Sequence, residues 1–201
     1  MSERRLTFYY DFSSPWSYLG STQVERVARD NGAEVEWRPI LLGALFKAIG
    51  TAMVPLYEQS QARQRYQGRD LHHWADHWGV PFRFPSNFPT NSVTALRLVL
   101  AAGDADLPRL SHAIYRAYWA DNQDITDREV LARLASTLGL DGPALVARTE
   151  DPTIKARLRE YTDGAVARGV FGVPTFFVGE TMFFGQDRFD FVAAALRGEK
   201  L

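Results

Sequence analysis

The sequence predicts an α/β domain in which a β-α-β unit and a closing β-β-α unit are separated by a large all-helical insertion. Three observations carry this. Leu6, Phe8, Tyr10 and Phe12 alternate with Thr7, Tyr9 and Asp11, and Val35 and Trp37 share a face of a second alternating run, the period of strands. Near the C-terminus, Phe171 to Asp187 reads as two short apolar strands around the turn Gly179-Glu180. From about Gly43 to Arg168 the periodicity is helical and no stretch makes a convincing strand. Each end of the chain lacks what the other supplies. Residues 1–42 and 169–201 are therefore expected to form one discontinuous domain, and residues 43–168 the insertion.

Each element has a local cause. Ser14 is a good N-cap and Pro15 suits the first helical position, so a helix runs from there to about Asp30, with Gly32 as its stop. Glu34 to Ile40 is the second strand, and Pro39 marks a strand end or edge. A right-handed crossover makes these two strands parallel. In the insertion, Leu71 to Trp78 is a short helix stopped by Gly79, and Val80 to Pro89 is a loop broken by Pro81, Pro85 and Pro89. Ser92 to Ala102 and Leu107 to Ala120 are helices with an apolar face. Thr126-Asp127-Arg128-Glu129 is a capping box for a helix that ends at Gly139. Asp151-Pro152 opens a long helix reaching Arg168-Gly169. The closing strands are apolar at nearly every position, which suits strands covered on both faces. Pro174 stands at the entry to the first, and a Val-Pro bond can be cis where a tight turn needs it. A bend there leaves the N–H and C=O of Val173 open to a peptide-like ligand. The last helix starts near Asp187 and runs to about Gly198.

Composition removes several classes of function. Lys and Arg number 23 against 24 Asp and Glu, so no basic field argues for nucleic acid or an anionic membrane. No run approaches the length of a bilayer span. Met1-Ser2-Glu3-Arg4-Arg5 leads into the first strand without an apolar signal segment, so the cytoplasm is the expected compartment. The chain has no Cys, which excludes disulfides, thiolate ligands and a Cys nucleophile of its own. His73 and His77 are i, i+4 on one helix, but no Cys or further His stands near enough to complete a metal site, and none is expected. The flanking Trp74 and Trp78 suggest an aromatic packing face with the histidines toward solvent.

The order βαβ, Val-Pro turn, antiparallel ββ and final helix is thioredoxin-like. The run Tyr9-Tyr10-Asp11-Phe12-Ser13-Ser14-Pro15-Trp16-Ser17-Tyr18-Leu19 resembles the opening of the 2-hydroxychromene-2-carboxylate isomerases and the related kappa-class glutathione transferases. Val170 to Gly179 and Phe183-Phe184-Gly185-Gln186-Asp187-Arg188 are two further matches, in the same order and spacing. The resemblance covers essentially the whole chain. In relatives that make disulfides a Cys-x-x-Cys opens the first helix; here Ser14 and Ser17 stand there, so disulfide exchange is excluded.

Ser14 on its own is a helix cap. It also sits at the positive end of a helix, where a thiol ionises more readily, and the chain has no thiol to put there. The resemblance implies glutathione as the cofactor, with Ser14 holding its sulfur as thiolate. It further implies Val173 and Pro174 against the cysteinyl part, and Phe184, Gly185, Gln186 and Asp187 at the γ-glutamyl end. Free N–H groups before the last helix suit a carboxylate, and Asp187 suits an ammonium, although Asp187 is also a plain N-cap candidate. Lys47 matches a position near the ligands, where it could steer an anionic substrate; otherwise it is a solvated lysine. Asn87 lies in the proline loop that the resemblance places over the cleft; otherwise it is a turn residue. The naphthalene-pathway isomerases have an Asn-Arg pair just after the position of Pro55, where this chain has Tyr57-Glu58.

The implied activity is glutathione-dependent cis/trans isomerisation of a 2-hydroxychromene-2-carboxylate-type aromatic acid by reversible thiolate addition. A kappa-class-like transferase and a non-catalytic glutathione- or peptide-binding module are the alternatives, the first separated by consumption of glutathione, the second by absence of turnover. The expected partner is a small aromatic molecule, without nucleic acid or membrane, and a homodimer is compatible with the sequence.

Overall fold

The computed structural model describes residues 4–201. The leader residues Met1-Ser2-Glu3 lie outside the described part. A four-stranded sheet has the order β2 (Ala33–Pro39), β1 (Arg4–Tyr10), β3 (Thr175–Val178), β4 (Thr181–Phe184). Strand β1 pairs parallel with β2 and antiparallel with β3, which pairs antiparallel with β4. Helix α1 (Pro15–Asp30) makes the crossover between the parallel strands.

The helical insertion runs through α2 (Leu42–Ile49), α3 (Gln61–Trp78), α4 (Val93–Ala102), α5 (Leu107–Trp119), α6 (Arg128–Thr137), α7 (Gly142–Arg148) and α8 (Pro152–Ala167). The chain closes with a 3-10 turn, Gln186–Arg188, and α9 (Phe189–Arg197).

From Leu6 to Tyr10 both faces of β1 are buried, because helices cover each. On one face Phe8 stacks on its cross-strand partner Phe176 at 5.2 Å, and the cluster continues into α1, α4, α5 and α9. On the other, Tyr9 and Phe177 meet Leu45 and Phe46 of α2 and Ala165 of α8. The first cluster runs unbroken from the sheet into the insertion: Tyr10, Phe12 and Tyr18 all pack on Tyr115 of α5. Trp74 and Trp78 pack against the same core, while His72, His73 and His77 are exposed.

Four local expectations change. Strand β4 is the sheet edge and is covered on one side only: Phe183 is 8% exposed, Phe184 43%. Helix α3 starts ten residues before the expected Leu71, because Ser60 caps it through Arg63 N–H at 3.4 Å. Its polar first half hides it from an apolar-periodicity reading. Helix α7 is unanticipated, though Asp141 caps it through Ala144 N–H at 3.0 Å ahead of Pro143. The expected capping box gives way to Asp127, whose Oδ1 accepts from Glu129 N–H at 2.8 Å. Thr126 instead donates its hydroxyl to Asp124 at 2.7 Å.

Candidate functional site

The first helix begins as its sequence dictates. Ser14 is extended, with φ −101° and ψ 117°, and Pro15 follows as the first helical residue. Its Oγ accepts from Ser17 N–H at 3.2 Å and donates to the Val173 carbonyl at 3.1 Å. One hydroxyl therefore both caps α1 and ties it to the turn before β3. The Val173-Pro174 peptide is cis. The Val173 carbonyl is thus already engaged, contrary to the expectation that both its backbone groups stand open. Among the described residues its N–H finds no partner.

The loop ahead of Ser14 is held from several sides. Asp11 is 1% exposed. Its Oδ1 accepts from Ser13 N–H at 2.9 Å and from the Ser13 hydroxyl at 3.0 Å, and its Oδ2 accepts from Leu42 N–H at 2.8 Å. Burial pushes the Asp11 carboxyl above its usual range, and these hydrogen bonds oppose the push. Tyr115 donates to the Asp11 carbonyl at 3.1 Å, and Trp119 Nε1 to the Phe12 carbonyl at 2.8 Å.

Beyond Val173 the chain makes a ledge. Gly185 N–H donates to the Pro174 carbonyl at 3.0 Å. Gly185 has φ +104°, and a Cβ there would lie 2.6 Å from Asp187 Oδ1, so only glycine lets that carboxylate fold back. Asp187 caps no helix; it pairs with Arg188 at 3.6 Å on a partly exposed surface. Gln186 is buried beside it.

A cleft of about 1030 Å³ opens in front of Ser14. Ser14, Val173 and Phe184 line one wall, with the exposed ring of Phe171 tilted against Phe184 at 4.6 Å. Gly172 allows Phe184 to lie close, since a Cβ would sit 2.9 Å from the Phe184 ring. Gln59 and the α3 residues Gln64 and Gln67 also line the cleft, as do Phe84, Phe88 and Thr90. Among the described residues that line it, Asp11 is the one ionisable side chain.

Of the residues picked from the sequence, Ser14, Val173 and Phe184 are brought together in the cleft. Pro174, Gly185, Gln186 and Asp187 form the adjoining ledge. Lys47 is exposed on the last turn of α2 and does not line the cleft, although its neighbour Phe46 does. Asn87 does not line it either: its amide donates to Asp124 at 2.9 Å, and its carbonyl accepts from Tyr118 at 3.4 Å. It secures the loop that presents Phe88. Tyr57 and Glu58 are exposed outside the cleft, while Pro55 and Leu56 line it. Sequence reasoning passed over Asp11, Gln59, Gln64, Gln67 and Thr90. The signal for the glutamines is their spacing before Leu71: Gln64, Gln67, Gly68 and Leu71 fall at i, i+3, i+4 and i+7, one stripe of a helix.

Comparison with known proteins agrees with this fold. The DSBA-like thioredoxin domain family matches residues 5–197. A 2-hydroxychromene-2-carboxylate isomerase of Sphingobium xenophagum is 32% identical over 193 residues, 96% of this chain and 98% of its own. Glutathione S-transferase kappa 1 of Rattus norvegicus is 28% identical over 216 residues, 98% of this chain and 92% of its own. The solved structure of a 2-hydroxychromene-2-carboxylate isomerase superimposes with a TM-score of 0.86 at 30% identity, covering 96% of this chain and 94% of that one.

Proposed function

Because this chain belongs to the DSBA-like thioredoxin domain family, alongside the 2-hydroxychromene-2-carboxylate isomerases, we propose that it is a glutathione-dependent cis/trans isomerase of a 2-hydroxychromene-2-carboxylate-type aromatic compound. The observation that carries this is Ser14: a hydroxyl at a helix N-terminus, at the mouth of a large cleft, in a chain without a thiol. The residues fit a thiol peptide. Val173 offers an unpartnered N–H, its carbonyl stands beside the hydroxyl, and Gly185 and Asp187 lie one strand away. Glutathione supplies the thiolate that adds reversibly to a conjugated carbon and permits bond rotation.

The protein's own groups do the rest. The α1 N-terminus favours negative charge on a sulfur placed there. Ser14 can turn its hydroxyl from the Val173 carbonyl to that sulfur, while a peptide N–H of the cofactor replaces it on the carbonyl. Asp187 is the partner for the γ-glutamyl ammonium. Phe171, Phe184 and Phe88 exclude water and face an aromatic ring. The same groups would serve a glutathione transferase, as the kappa-class relative suggests. The reading places the protein in the cytoplasm, where thiols stay reduced.

Calorimetric titration tests the cofactor: glutathione and S-methylglutathione should both bind, and no heat and no thermal shift at millimolar ligand refutes the reading. Turnover of 2-hydroxychromene-2-carboxylate with free thiol unchanged identifies the isomerase. Stoichiometric loss of thiol without such turnover identifies the transferase.

A further inference from the structure

The lining that α3 gives the cleft bears on the substrate's charge. On α3 the side facing the cleft carries Gln64, Gln67, Gly68 and Leu71, while Arg63, Arg65 and Arg69 of the same helix are exposed and do not line it. Lys47 on α2 is likewise turned to solvent. Among the described residues lining the cleft there is no Lys, Arg or His. The one ionisable group, Asp11, is acidic, and its oxygens already accept hydrogen bonds from Ser13 and Leu42. A carboxylate entering this space would lose hydration without gaining a cation.

A polar group in the lining asks for a different ligand. Gln59 Oε1 is buried and has no hydrogen-bond partner among the described residues, and Gln59 lines the cleft. Gln64 Nε2 donates to the Gln59 backbone carbonyl at 2.9 Å, so Gln59 is held in place. A buried amide oxygen is an acceptor only, and its complement is an O–H or N–H donor.

We infer that the pocket beside the cofactor site takes an uncharged aromatic ligand bearing an O–H or N–H donor, received by Gln59, so that a substrate carboxylate is dispensable. This rests on the glutathione reading above, and names the substrate class of the same site. It makes Gln59 a specificity-determining residue, and Gln64 a positioning residue for Gln59.

The test uses conjugates that carry their own anchor: S-(4-carbamoylbenzyl)glutathione and S-(4-carboxybenzyl)glutathione, nearly isosteric and differing in charge, with S-benzylglutathione as baseline, titrated by calorimetry at neutral pH. The carbamoyl conjugate should bind about tenfold or more tighter than the carboxy one, since an unpaired buried charge is costly. Gln67→Lys places a cation on the cleft face of α3 and should reverse or erase that preference. Gln59→Leu should weaken the carbamoyl conjugate about tenfold and leave S-benzylglutathione unchanged, as loss of a hydrogen bond to a buried acceptor demands. Equal or tighter binding of the carboxy conjugate by the wild type overturns the inference. So does binding of glutathione with neither ring conjugate, an outcome that leaves the cofactor reading intact. Failure of glutathione and S-methylglutathione to bind defeats the cofactor reading instead, and this proposal with it.

Discussion

Replacing Ser14 by Ala should move two closely related ligands in opposite directions. In the free protein the change removes the α1 cap, worth about 1 kcal/mol. It also leaves the buried Val173 carbonyl without its donor, at about 1–3 kcal/mol. A combined loss of about 2–4 kcal/mol lowers Tm by about 4–16 °C for a chain of this size. S-methylglutathione carries a thioether, a weak acceptor. In the wild type its binding makes the hydroxyl exchange a carbonyl for that poor partner, while the variant has no bond to give up. The variant should bind it up to about fivefold tighter, equivalent to about 1 kcal/mol. Glutathione behaves differently, because its thiolate loses a hydrogen bond to a charged group worth about 1.5–3 kcal/mol. The pKa of the bound thiol should rise by about 1–2 units, and turnover should fall about ten- to hundredfold. Calorimetry with both ligands, thiolate absorbance against pH, and denaturant unfolding of the same preparations measure all of this. An unchanged pKa of the bound thiol in folded Ser14→Ala, or weaker binding of both ligands alike, refutes the proposed exchange.

Other outcomes follow from the same geometry. Asp11→Asn removes a carboxyl whose folded pKa lies above its unfolded value, so in the wild type this group's contribution is fully present below about pH 4 and is lost as pH rises through the raised value. The Tm of the wild type minus that of the variant should therefore grow as pH falls through that window, and a difference that shrinks on acidification contradicts it. Gly185→Ala forces a side chain to φ +104° and against Asp187 Oδ1; unfolding in denaturant should show a loss of about 1–3 kcal/mol, and titration a weaker glutathione complex. Lys47→Ala should leave KM and kcat within about twofold, as for an ordinary surface change, because Lys47 lies outside the cleft. A severalfold rise in KM would put its ammonium on the substrate.

What the sequence made legible follows how local the cause is. The α1 start at Ser14-Pro15, the α8 start at Asp151-Pro152 and the two closing strands around Gly179 each rest on a few adjacent residues, and each stands as expected. The first half of α3 escaped because Gln61 to Asp70 carries no apolar stripe: its inward side faces a cleft rather than a core. The state of the Val173 carbonyl escaped for another reason. Its donor, Ser14, is 159 residues away, a pairing that no local pattern encodes. Lys47 shows the limit of motif position: α2 was correctly helical, but one residue of rotation separates cleft-lining Phe46 from exposed Lys47.

The unequal support of the cleft's two walls has a consequence for how such a protein can diversify. The wall at Ser14 is bolted down by distant partners: Tyr115 and Trp119 on the backbone of Asp11 and Phe12, Leu42 on the Asp11 carboxyl, and Ser14 on Val173. The lining between Val54 and Gln59 is shaped by turn bonds that run within the segment itself, such as Tyr57 N–H to the Val54 carbonyl at 3.0 Å. Substitutions there reshape the reception of a second molecule without disturbing the first. On the glutathione reading proposed above, substitutions across residues 54–67 would change the electrophile received, while Asp11 to Ser14 would keep the thiol site unaltered.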